Sequence, residues 1–230
     1  MNRHFAFILF AAGAVVWGSA SQAAIVGTVT TFSQANYATA AADDDLLQTQ
    51  LASSTLTGYS ANGAAFGGLA VLTDGTGGLN NLPANSGDAM VETTAGASDG
   101  WTADFELDVT TNTLGYDITS IISTSGWNNP AIAEQNFNLS VSVVGSSDFV
   151  LLGNFTGTAT TGGGIQVTIA DDVSGALVAT GVDAIRFEST GGLRGGYREL
   201  DVIGTPTVPE PGSLGLIGLG SIMMLKRRRA

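Results

Sequence analysis

Between residues 25 and 204 the chain offers its apolar side chains in short runs broken by glycine, asparagine and aspartate, a punctuation that leaves little room for long helices. In QNFNLSVSVV, Phe137, Leu139, Val141 and Val143 fall on one face of an extended chain and Asn138, Ser140 and Ser142 on the other. A period of two is what a half-buried strand needs, because successive side chains leave it on opposite sides. The same Thr-, Ser- and Val-rich texture predicts strands at 25–32, 68–73, 89–93, 101–109, 113–123, 135–144, 148–155, 165–170, 182–189 and 197–204. Many short strands without interleaved helices imply an all-β fold, an antiparallel β-sandwich. One helical stretch interrupts the pattern, DDDLLQTQLA, where Asp43 to Asp45 would cap a short helix carrying Leu46, Leu47 and Leu51. The region from Gly58 to Gly100, with GGLNNLPANSGD at its centre, reads as a long surface loop.

Both ends of the chain depart from this texture. The opening MNRHFAFILFAAGAVVWGSASQAA joins a basic residue, Arg3, to an apolar run from Phe5 to about Val16 and then to Ser21 and Ala23, the small-residue spacing read by a signal peptidase. Cleavage after Ala23 is the expectation, since the apolar run is too short to remain as an anchor. The division is then a signal peptide at 1–23, a sandwich domain at 24–204 and a C-terminal segment at 205–230.

Removing the ends exposes how acidic the body is. Of 8 basic residues, Arg3 leaves with the leader and Lys226, Arg227, Arg228 and Arg229 with the tail, so Arg186, Arg194 and Arg198 face all 20 carboxylates, a net charge of minus 17. Such a surface repels nucleic acid and anionic lipid and favours divalent cations. There is no cysteine, so an exported body must hold together without disulfides, by its core alone or by its core and a bound metal. The one histidine, His4, lies in the leader, which removes Ser-His-Asp and Cys-His catalysis and imidazole- or thiolate-bound zinc.

The C-terminal segment has three parts in order: Pro209, Glu210 and Pro211; an apolar stretch from about Ser213 to Leu225; and the basic stub Lys226 to Arg229. As a helix the stretch would be about 20 Å long at about 1.5 Å per residue, short of the roughly 30 Å hydrocarbon core, with the arginines held on the cytoplasmic side. VPEPGSLGLIGLGSIMMLKRRRA closely resembles the PEP-CTERM sorting signal of Gram-negative bacteria. That resemblance implies recognition of Pro209, Glu210 and Pro211 by exosortase, a membrane protease. It also implies transient anchoring through a short transmembrane sorting helix, then release to the cell surface or the exopolysaccharide and biofilm matrix. Membrane contact is expected only through this tail.

Within the body, AVLTDGTGG runs from a predicted strand into a glycine-rich loop, and in YRELDVIG the residues Tyr197, Glu199 and Asp201 alternate with Arg198, Leu200 and Val202. Asp-Gly is a turn signal, and it also lets carbonyl and carboxylate oxygens gather round a hard cation. TDG, YDITSIISTSGW, AEQNFNLSVSVVGSSDFVLL, VDAIRFES and RELDVIG, in that order over about residues 65 to 204, resemble the galactose-binding-like jelly roll of discoidin domains. The resemblance implies a structural Ca2+ held by Asp74 and Glu199, with Thr76 and carbonyls near Val71 and Arg198 as further ligands, and a loop-borne carbohydrate site.

Trp127, in SGWNNP, would either offer a sugar ring an aromatic face or cover the sandwich rim. Arg194, in GGLRGG, would either fork onto a ligand carboxylate or hydroxyl, or balance surface acids. Asp104, Glu106 and Asp108 alternate along one strand; a glycosidase needs two such carboxylates, whereas a solvated strand face carries them without any catalytic role. The expectation is a non-catalytic surface or matrix protein that binds polysaccharide weakly. The alternatives are a structural or adhesive component without a defined glycan, and a carboxylate-dependent glycoside hydrolase.

Overall fold

A computed structural model of the chain describes residues 24–33, 45–59, 68–75, 90–91, 100–127, 130–158, 163–190 and 195–209. The expected signal peptide at 1–23, Thr76, Arg194, Glu210, Pro211 and the apolar tail all lie outside them.

The strands are β1 (Ile25–Ser33), β2 (Leu51–Thr57), β3 (Met90–Val91), β4 (Thr102–Leu107), β5 (Tyr116–Trp127), β6 (Gln135–Val143), β7 (Val150–Gly157), β8 (Gly163–Asp171), β9 (Ala179–Ser189) and β10 (Gly196–Pro206). Every pairing is antiparallel. Pairing runs β7–β6–β9–β4–β2 through one layer and β1–β8–β5–β10–β3 through the other, with a short β5–β9 ladder joining them. The predicted antiparallel sandwich is the observed architecture.

The core lies between the layers and follows from alternation. Ala103, Phe105 and Leu107 of β4 and Phe137, Leu139 and Val141 of β6 point inward, while Asp104 and Glu106 point out. An aromatic knot ties the layers: the Phe137 and Phe187 rings stack with centroids 4.4 Å apart, Trp101 stacks on Phe187 at 5.3 Å, and Tyr197 from the opposite layer meets Phe187 edge-on at 5.2 Å. Offset and edge-to-face contacts of this kind each add about 0.5–1.5 kcal/mol beyond the area they bury.

Four local expectations are corrected. GLAVLT is not a strand: Leu69–Leu72 form a 3-10 turn, whose three-residue repeat brings Leu69 and Leu72 together against the core. The capped helix stops at Thr49 (α1, Leu46–Thr49), and Leu51 starts β2, an edge strand of small polar residues exposed on both sides. Val143 does not share the inward face of β6, because an irregularity in the pairing with β9 at Ser142/Val143 turns it outward, 39% exposed. The simple alternation of β10 also fails. The register against β5 shifts between Tyr197 and Glu199, so Tyr197 joins Leu200 and Val202 in the core. A further short helix, α2 (Pro130–Ala133), precedes β6.

Candidate metal centre and polar groove

The irregularity in β10 decides where its carboxylates go. Glu199 and Asp201 are 1% and 4% exposed, and between them and α1 lies Asp45, fully buried. Asp45 caps α1 by accepting the Leu47 N–H at 3.0 Å, and the same oxygen accepts the Val202 N–H at 2.8 Å. A helix cap is therefore also a long-range staple to the last strand. Asp45, Glu199 and Asp201 each offer an oxygen within 4.8 Å of the others.

Asp74 stands at the exposed mouth of this cluster. The 3-10 turn delivers the Asp74–Gly75 pair onto β10, where the Gly75 N–H donates to Glu199 Oε1 at 3.3 Å and Asp74 is hydrogen-bonded to the Glu199 side chain. Gly75 has φ of 81°, a conformation that favours glycine, while a Cβ there would meet only the movable end of the Gln48 side chain, Nε2 at 2.6 Å. Burial, then the charges of Asp201 and Asp74, push the Glu199 carboxyl up to about 9. Glu199 is thus a protonated acid at neutral pH.

The donor set suits a hard cation. Two oxygens bound at about 2.4 Å to one Ca2+ lie at most about 4.8 Å apart, and carboxylates with backbone carbonyls are its preferred ligands. The structure brings Asp74 beside Glu199 and places Asp45 and Asp201 in the same cluster. Glu-x-Asp on a strand was the available signal for Asp201; no local signal pointed to Asp45.

Trp127 ends β5 and is 5% exposed, with the Arg198 guanidinium 5.8 Å from its ring centroid. Arg198, fully buried, donates from Nε to the Gly126 carbonyl at 2.8 Å. Trp127 therefore packs into the rim of the sandwich instead of presenting a face to solvent.

The outward residues of β4 line a cavity of about 360 Å³ with Ser53, Thr55, Ser142 and Asp183. Its carboxylates are engaged. Arg186 forks onto Asp104 at 2.7 and 2.8 Å and lies 4.0 Å from the Phe149 ring centroid, Ser53 donates to Glu106 at 2.7 Å, and Ser142 donates to Asp183. Asp108 sits apart in a turn, accepting from the Thr110 N–H and hydroxyl, which hold its carboxyl below the usual range.

Comparison with known proteins bears on the tail. Residues 207–229 match the family described as the PEP-CTERM protein-sorting motif. None of the curated proteins compared matches the chain. Among solved structures, it is similar to the C-terminal domain of a chitobiase from Bacteroides fragilis, at 21% identity and a TM-score of 0.36, over 72% of this chain and 100% of that one. It is also similar to CpGH89CBM32-5 from Clostridium perfringens, in complex with GalNAc-β-1,3-galactose, at 15% identity and a TM-score of 0.33, over 69% of this chain and 99% of that one. The chain is thus an exported β-sandwich protein. It carries a C-terminal PEP-CTERM sorting tail, the signal for membrane anchoring and exosortase processing.

Proposed function

We propose that this is a non-catalytic protein of the cell surface or extracellular matrix, whose sandwich engages polysaccharide weakly and is steadied by one structural Ca2+. The observation that carries the reading is the direct junction of two parts. β10 ends at Pro206 and the sorting motif begins at Thr207, so the sandwich itself is the cargo. The groove over β4 supports the polysaccharide partner, because serine, threonine and carboxylate oxygens are the groups that hydrogen-bond sugar hydroxyls. An open groove of mixed polar and apolar lining favours weak binding, and its acidity favours neutral or amino sugars over uronic acids. The ties of Asp104 to Arg186 and of Glu106 to Ser53 favour a binding role over acid–base chemistry.

A glycan array on the processed protein tests this reading. Saturable binding to neutral or amino-sugar glycans, reduced at least fivefold by Asp183→Ala, is expected; no saturable binding to any glycan would overturn it. A structural or adhesive role without a defined glycan is the second reading, favoured by the burial of Trp127.

A further inference from the structure

The body holds its last residues tightly. β10 stays paired with β5 to its final position, Pro206 opposite Tyr116. One residue on, the Thr207 N–H donates to the Gly115 carbonyl at 2.9 Å and its hydroxyl donates to Asp117 Oδ1 at 2.6 Å. That oxygen also accepts the Thr180 hydroxyl and, at 3.3 Å, the Gly181 N–H. Burial works to raise the Asp117 pKa, but the three hydrogen bonds outweigh it and hold the carboxyl below 3.8. The acceptor is therefore charged at neutral pH, where such bonds are strongest. Gly115 has φ of 79°, and a Cβ there would lie 2.6 Å from the Gly181 carbonyl carbon, so the two backbones carrying the clamp are in direct contact.

Thr207 is also the first residue of the sorting match, and Pro209 follows two positions later. A protease reads an extended peptide largely through backbone hydrogen bonds on either side of its motif. Pro209 and Pro211 have no N–H to offer. The Thr207 N–H is committed to the body, which leaves Val208 and Glu210 as the backbone donors between 207 and 211.

We propose that Asp117 and Thr207 form a clamp that limits processing, because the membrane protease gains the segment before Pro-Glu-Pro only when Thr207 leaves the folded body. The inference rests on the sorting role of the tail. It makes the folded end of the sandwich part of what the protease meets, and it ties the rate of release to a local opening of the domain.

The test is a pulse-chase of the full-length precursor in its own host, following conversion to the shortened form. Two variants separate the effects. Asp117→Ala opens the clamp and lies outside the sorting motif, and a four-residue Gly-Ser insertion between Val208 and Pro209 leaves the clamp intact but supplies free chain. Each is expected to shorten the conversion half-time about fivefold, equivalent to about 1 kcal/mol, with the insertion leaving the melting temperature unchanged. An unchanged or longer half-time for the insertion overturns the clamp, even if Asp117→Ala is faster, since that acceleration would then reflect general loosening. A wild-type precursor that is never shortened refutes the sorting role itself, and the clamp with it.

Discussion

Replacing Glu199 by glutamine should abolish the response to calcium and yet stabilise the cation-free protein at alkaline pH. The opposite signs come from one carboxyl. In the cation-free fold, burial and the charges of Asp201 and Asp74 raise Glu199 from 4.5 to about 9. Between those values the folded state keeps a proton that the unfolded state has released. The stabilising effect is complete below 4.5 and is lost as pH rises, by at most about 6 kcal/mol at about 1.36 kcal/mol per pH unit. On the proposed reading, a bound calcium would replace the proton as the positive charge in the cluster. At a hundredfold excess over its dissociation constant a ligand of the native state contributes about 2.7 kcal/mol. In a domain of this size each kcal/mol moves the melting temperature by about 2–4 °C, so calcium over chelator should raise it by about 5–11 °C near pH 8. Glutamine carries no charge to desolvate and binds calcium poorly, so Glu199→Gln should melt higher than wild type in chelator near pH 8 and show no gain with calcium. Thermal melts followed by circular dichroism, at about pH 5 and pH 8 with calcium or chelator, measure all of this. Identical wild-type melting with calcium and with chelator near pH 8 would refute the metal centre. An unaltered calcium shift in Glu199→Gln would remove Glu199 from it.

Other substitutions probe the frame around the site. Gly75→Ala forces a side chain into φ of 81° against Gln48 and should cost about 1–2 kcal/mol while weakening the calcium shift, both visible in the same melts. Phe137→Ala removes the ring that stacks on Phe187 and should cost about 3–5 kcal/mol by urea unfolding, with no specific loss of calcium response. Breaking the partly exposed Arg186–Asp104 pair with Asp104→Asn should cost less than about 1 kcal/mol, and less still at high salt.

How much of this was legible depends on the range over which each feature is encoded. Alternation is local, so β1, β5, β6 and β8 could be placed within a few residues from their own sequences. LASSTLT gave no such signal. An edge strand with both faces near solvent has no inward apolar set to reveal it, and β2 is set by its pairing with β4. GLAVLT misled for the converse reason: a six-residue apolar run fits a strand or a helical turn equally well, and the need to bring Asp74 to β10 settles the matter.

The candidate site shows the same limit more sharply. Asp74-Gly75 and Glu199 could be paired through a resemblance, but Asp45 announces itself locally only as a helix cap, the commonest duty of an aspartate before a short apolar run. Its second bond, to the Val202 N–H, crosses 157 positions of sequence. One oxygen thus fixes both the start of α1 and the strand that carries Glu199 and Asp201. A carboxylate recruited only as a cap would do as well on the surface, where its charge stays hydrated; full burial beside two more carboxylates is costly and persists only where protonation or a cation offsets the repulsion. Of these two, a bound cation is the alternative that would leave all three carboxylates ionised with the last strand in register, which is what the melts with calcium and chelator test.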